Sequence, residues 1–338
     1  MSRTSILTTG IVVVDLIAAG LPSVAKPGQV IFTPRGIKTR LGGHSANVSI
    51  DLAKLGVPGR EILLVGSVGN DLYSNFVEET LKSYGVRVKL ERVEGVETSK
   101  NLILVVRGED RRFHVDVGAN LHLDPERVVE VLRCERPKLF YVGATGMLGR
   151  FDYELARVLG TAKAVGCTTF IDVIVPYEKT WDYLIPALKY VDIFHCNDAE
   201  IKSLSGRRGL EEAVKVLRDE GVKLAIVTIG ERGLYALHLR AAIKMPAFNV
   251  EVVDPTGAGD AFCAGIMYWL WRRDFPNLER LVEEDLLEML LFASAVGASA
   301  VTTEGTTAGV NISFVRSLLL RQGERVRSRA HVRSKSAC

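Results

Sequence analysis

Nowhere in the 338 residues does an uninterrupted apolar run approach the roughly 18 residues of a membrane-spanning helix. The one stretch with the look of a secretory leader, ILTTGIVVVDLIAAG, carries Asp15 at its centre and reads as a first buried strand. Cysteine is sparse. Cys134, Cys167, Cys196, Cys263 and Cys338 are odd in number, scattered and without a CxxC pair, which argues for reduced thiols in a cytoplasmic protein and against a disulfide framework or a zinc site. A marked excess of one charge sign is missing too. The net charge is +3, and the last eighteen residues, RQGERVRSRAHVRSKSAC, hold six Lys/Arg against one Glu, so the rest of the chain carries about −2. The body is therefore not a basic nucleic-acid-binding surface, and the tail (321–338) reads as a disordered basic end, or else as an electrostatic arm for an acidic partner.

What is present is apolar content, 47%, enough for a substantial core. Short β-branched runs such as REILLVGSVG, KLFYVGAT, TTFIDVIV, YVDIFHC and KLAIVTIG alternate with segments of helical period such as LYSNFVEETLKSYG and LEEAVKVLRDEG. That alternation predicts a mostly parallel sheet with crossover helices on both faces. Residues 28–41 and 87–117 break the rhythm: they are strand-like with no helix between, RGED being a natural turn, and they predict a small separate sheet. No repeat or interdomain linker is visible, so one domain over 1–315 with a small insertion is expected.

Four stretches carry candidate chemistry. In VVDPTGAGDAFCAG (252–265) a loop of Gly257, Ala258 and Gly259 opens an apolar helix, where unpaired backbone N–H groups and the helix dipole can cradle an anion without side-chain obstruction. Asp260, next in line, cannot ligate a phosphate because two anions repel, but it can take the proton of a hydroxyl attacking that phosphate. The plain alternative is an acid complementing a helix dipole. In GGHSANVSIDLAKLG (42–56) the pair Gly42 and Gly43 allows close backbone approach, Ser45 suits an N-cap, Gly56 a helix end, and Asn47 in the first turn can bond hydroxyls; an ordinary glycine-rich helix start has the same pattern. In HCNDAEIKSLSG, Asn197 and Glu200 suit phosphate contact and a hydrated Mg2+, or simply a capping box. VTIGERG (227–233) is a strand entering a glycine turn that can hold ribose or phosphate, or be a plain turn.

In their order, GGHSAN, VDVGANLHLDPE, NDAE, TIGERG, DPTGAGD and ASAVTTEG resemble the ribokinase-like carbohydrate kinases of the PfkB family over residues 5–315. The resemblance implies a doubly wound, mostly parallel α/β sheet with helices on both faces and a small β-sheet lid, through which many members form homodimers. It implies ATP as co-substrate, Mg2+ and a small sugar, polyol or nucleoside as partner. By position it implies Asp260 as catalytic base and Gly257, Ala258 and Gly259 as anion hole. Asp15, Gly42, Gly43 and Asn47 fall at acceptor positions, Asn197 and Glu200 at phosphate and magnesium-water positions, and Thr228, Gly230, Gly233 and Ser294 at nucleotide positions. Asp254 and Thr256, with the backbone of Ala300, Thr303 and Gly305, match a loop that in some members holds a monovalent cation such as K+, although Pro255 and TTEG depart from the common pattern.

Other departures concern the acceptor. Position 44 is His rather than the Lys of many ribokinases, and YVGAT supplies no acid. Asn101, Arg111 and Arg112 in the second lid segment can meet a substrate or be exposed hairpin groups. A nucleoside acceptor would suit aromatic lid residues, of which the lid segments hold only Phe32 and Phe113. An inactive nucleotide-binding regulator would lack the base, which is present, and a dinucleotide-binding dehydrogenase would carry its glycine loop at the first strand rather than near residue 257.

Overall fold

The computed structural model describes residues 4–109 and 111–334. In chain order its strands are β1 Ile6–Gly10, β2 Val13–Leu21, β3 Ile37–Gly42, β4 Ile62–Gly69, β5 Arg87–Val93, β6 Lys100–Val106, β7 Arg112–Asp116, β8 Leu139–Thr145, β9 Thr168–Val173, β10 Ile193–Asn197, β11 Leu224–Thr228, β12 Leu234–His238, β13 Ala241–Met245 and β14 His331–Ser334. Ten of them form one sheet in the order β14-β13-β12-β11-β10-β9-β8-β1-β4-β5; the other four form a small sheet, β3-β2-β6-β7. From β5 to β11 every pairing in the large sheet is parallel, and β12, β13 and β14 add an antiparallel edge.

The two-residue period of the strands accounts for the layers. Ile6, Ile62 and Leu64 face one apolar cluster, shared with the helices His44–Leu55, Ala258–Arg272 and Glu283–Ala300. Leu7, Leu63 and Val65 face the other, shared with the helices Pro125–Glu135, Leu155–Ala164 and Leu210–Asp219. After β1 the chain goes to one side (β4, β5) and later to the other (β8, β9), so the sheet reverses its winding order beside β1. Clefts open at such reversals, outside the carboxyl ends of the strands.

Three expectations need correction. ILTTGIVVVDLIAAG is two strands in two sheets, because Asn120 grips the linker between them: the Val12 amide donates to Asn120 Oδ1 at 3.0 Å and Asn120 Nδ2 donates to the Val12 carbonyl at 3.1 Å. Residues 28–36 hold no strand, and β5 leaves the predicted lid segment to pair with β4 in the large sheet. The 321–338 tail is ordered as far as Ser334. The helix Ile312–Ser328 buries Val315, Leu318 and Val326 at helical spacing while its arginines face solvent, and β14 extends the sheet along β13. Charge density concealed that stripe; Lys335–Cys338 lie outside the described residues. Within the described residues no helix is long and apolar enough to cross a membrane.

Candidate active site

A cleft of about 460 Å³ opens at the carboxyl ends of β9, β10 and β11, roofed by β2, β6 and β7 and closed below by the start of the helix Ala258–Arg272. Gly257 makes that start possible. It caps the helix with φ of 80°, and a Cβ there would lie 2.3 Å from the Thr306 carbonyl oxygen. The chain then enters the helix with the amides of Gly259 and Asp260 unspent: neither has an acceptor among the described residues. An anion placed there meets two donors and the helix dipole. No strand precedes this loop, since β13 ends at Met245.

Asp260 is 6% exposed, and its two oxygens differ. Oδ2 accepts from Asn47 Nδ2 at 2.7 Å, whereas Oδ1 is buried without a hydrogen-bond partner, His44 Nε2 lying 3.9 Å away. Burial raises the Asp260 pKa, His44 opposing and Asp172 adding to the rise. Such a carboxylate is aimed, poorly solvated and able to take a proton. Asn47 is held by the helix His44–Leu55, and its Oδ1 is likewise buried and unpartnered. The N-cap of that helix is Gly43; Ser45, expected there, instead donates its Oγ to the Ile11 carbonyl at 2.8 Å, tying helix to lid linker.

The upper wall comes from the small sheet. Asp15 on β2 accepts from Asn101 Nδ2 on β6 at 2.9 Å. Gly42 leaves room for it, because a Cβ at 42 would lie 2.2 Å from Asp15 Oδ2. Burial raises the Asp15 pKa to about 6, with Asn101 opposing and Asp260 and Asp254 adding. Of the nucleotide-side residues, Asn197, Glu200 and Thr228 border the cleft. Asn197 and Glu200 form the capping box, Asn197 Oδ1 accepting from the Glu200 amide at 2.9 Å and Glu200 Oε2 from the Asn197 amide at 2.8 Å, which holds the buried acid at the cleft wall. Gly230 and Gly233 shape the turn after β11 without bordering the cleft, and Ser294, half-buried on the helix Glu283–Ala300, does not border it either.

Arg111 does not lie along the acceptor cleft. It reaches from the small sheet to Asp254 Oδ1 at 2.8 Å and to Thr256 Oγ1, while the Gly305 amide donates to Asp254 Oδ2 at 3.0 Å. Burial alone would raise the Asp254 pKa, but hydrogen bonds from the Thr256 hydroxyl (2.6 Å) and amide (3.0 Å), then the Gly305 amide and the Arg111 charge, hold it below the usual carboxylate range. The carboxylate expected to serve a monovalent cation thus already carries a guanidinium, and the residues as placed do not fit a metal ion. Arg112 is exposed and pairs with Glu109.

Two groups that sequence reasoning passed over complete the floor. Asp172 at the end of β9 receives His195 Nδ1 from β10 at 2.8 Å; His195 Nε2 lies 3.2 Å from Thr228 Oγ1 and its ring stacks on Phe262. Burial works against a charged pair, yet the pairing keeps Asp172 low and His195 high. The available signal was an acid and an imidazole at the ends of successive buried strands, TTFIDV and IFHCN.

A pfkB family carbohydrate kinase model matches residues 3–312. The aminoimidazole riboside kinase of Salmonella typhimurium is 29% identical over 78% of this chain and 82% of its own, and fructokinase-2 of Oryza sativa subsp. japonica is 27% identical over 89% of each. Among solved structures, ribokinase from Giardia lamblia superposes with a TM-score of 0.81 at 22% identity, covering 95% of this chain and 99% of that one. A putative ribokinase II of E. coli, in complex with ATP and Mg2+, gives 0.76 at 22% identity over 94% and 99%. A family match over nearly the whole chain, on a large parallel sheet with a small lid sheet, means that this protein belongs to the pfkB family of carbohydrate kinases.

Proposed function

We propose that the protein transfers the γ-phosphoryl group of ATP to a hydroxyl of a small sugar, polyol or nucleoside bound between the lid and the head of the helix Ala258–Arg272. The observation that carries this is the Oδ1 of buried Asp260, which has no hydrogen-bond partner, at a helix start with two amides lacking acceptors among the described residues. Asp260 takes the hydroxyl proton as the oxygen attacks phosphorus. The amides of Gly259 and Asp260 hold the equatorial oxygens, Gly257 and Ala258 giving the loop its path. Asp15, Asn101 and Asn47 fix the acceptor's other hydroxyls, with Gly42 and Gly43 letting the lid approach. Asn197 and Thr228 face the phosphates, and Gly230 and Gly233 form the turn against the nucleotide.

Mg2+ fits this site: Glu200 offers a hard oxygen donor, 8% exposed and held at the cleft wall, suited to an ion that keeps its waters. When bound, Mg2+ neutralises phosphate charge. Pairing of two copies through the lid belongs to the same reading, since Val30, Phe32, Ile37 and Leu102 are exposed there; so does a reducing, cytoplasmic setting, for which the free Cys134, Cys167, Cys196 and Cys263 speak. A nucleoside acceptor is favoured by Phe113, which borders the cleft from β7. ADP release measured across a panel of sugars, polyols and nucleosides tests the proposal: one acceptor class should give turnover that is lost in Asp260→Asn, and turnover that survives the substitution would refute it.

A further inference from the structure

The floor of the cleft brings together three side chains far apart in the chain. His44 Nε2 lies 4.0 Å from Asp172 Oδ2 and 3.9 Å from Asp260 Oδ1. All three atoms lie within 4.8 Å of one another. Asp260 Oδ1 is buried and has no hydrogen-bond partner. The other oxygen of each carboxylate is anchored, Asp260 Oδ2 by Asn47 and Asp172 Oδ1 by His195, while Asp172 Oδ2 itself accepts from Tyr141 Oη at 3.2 Å and weakly from Cys263 Sγ at 3.8 Å, contacts that a metal would share or displace. Anchored carboxylates of this kind orient ligands toward a metal. His44 is half-buried, and with the three atoms within 4.8 Å of one another each must move inward by about half an ångström to reach bonds of roughly 2.0–2.2 Å.

We propose that His44, Asp172 and Asp260 form a three-ligand site for a transition-metal dication such as Zn2+ or Co2+, open to the cleft at its remaining position, and that occupancy of this site silences the kinase. An imidazole with two carboxylates suits borderline metals. Mg2+ is a poorer match: it is bound through oxygen and water and gains little from a nitrogen donor. The inhibition rests on Asp260 acting as base, because a carboxylate ligating a dication cannot take a proton; the binding does not rest on it.

The test uses full-length protein carrying Cys134→Ser, which removes the one exposed thiol among the described cysteines. With no nucleotide present, titration with CoCl2 should give the visible absorption of low-coordinate Co2+ at one equivalent, and calorimetry should give matching Zn2+ binding. Adding His44→Gln or His44→Ala should weaken both metals by about 100-fold, the upper end of what loss of even an outer-shell partner costs. Thermal melts check that these variants fold. Unchanged metal affinity in folded His44 variants overturns the site. Zn2+ should abolish ADP release, and the His44 variants should resist it. Stoichiometric, His44-dependent binding with undiminished turnover overturns the inhibition and removes Asp260 from the role of base while leaving the metal site in place.

Discussion

The large sheet and the lid are built on different terms. The body packs strands whose residues are buried on both faces, with aromatic anchors such as Phe140, Tyr141, Phe170 and Phe194 fully enclosed. The lid owns two clusters of three buried residues, Ile17 with Ala19 and Ile103, and Ala18 with Leu21 and Val106; its strand β7 is exposed along its length. The proposed chemistry divides along the same line. Asp260, Asp172 and His195 sit in the floor, whereas Asp15 and Asn101 ride on the lid. A densely packed floor suits transition-state stabilisation, and a thinly packed roof suits admission and release of an acceptor.

The sharpest way to break this division is at the floor's hinge. Gly257→Ala puts a methyl 2.3 Å from the Thr306 carbonyl oxygen at a φ of 80°, so the free amides must shift, and steady-state turnover should fall by about 10²–10³. Wild-type turnover in that variant would mean that the loop is not the anion site. Packing gives the next largest contrast. Phe170→Ala should cost about 3–5 kcal/mol in denaturant unfolding, against about 2 kcal/mol or less for Ile103→Ala, whose effect should appear as faster amide exchange confined to the lid. Equal global losses would erase the distinction.

On the lid itself, Asp15→Ala should cost about 1–3 kcal/mol of acceptor binding, read as a raised KM with ATP affinity unchanged by calorimetry. The wild-type acceptor KM should also climb as pH falls through about 6, where Asp15 takes a proton, and this climb should vanish in the variant. The smallest effect lies under the floor. Asp51 is fully buried, neither of its oxygens has a hydrogen-bond partner, and burial raises its pKa with Lys54 opposing. Its folded pKa exceeds the unfolded value, so stability is greatest below that unfolded value and is lost as pH rises through the folded one. Asp51→Asn should flatten this dependence and add about 1–2 kcal/mol at neutral pH, measured from denaturant midpoints across pH.

Much of this was legible in the chain because periodicity and glycine loops are local signals. The βα alternation announced the parallel sheet, and GAGD announced a helix start with an acid in its first turn. What escaped depended on distant partners. Asn120 divides β1 from β2 by gripping Val12, 108 residues away. Arg111 reads as a substrate contact or an exposed hairpin charge until Asp254 is brought beneath it. The basic tail hid an amphipathic helix because its apolar residues are few. Asp172 and His195 meet only through the register of β9 and β10, which pairs them directly.

The most direct test of the central claim is the rate of phosphoryl transfer by Asp260→Asn, measured in a single turnover with ATP affinity determined in parallel. The amide keeps the hydrogen-bonding shape but cannot accept the hydroxyl proton. Transfer should slow by about 10²–10⁴ while ATP binds as before. Transfer at the parent rate, with ATP bound normally, would contradict the account.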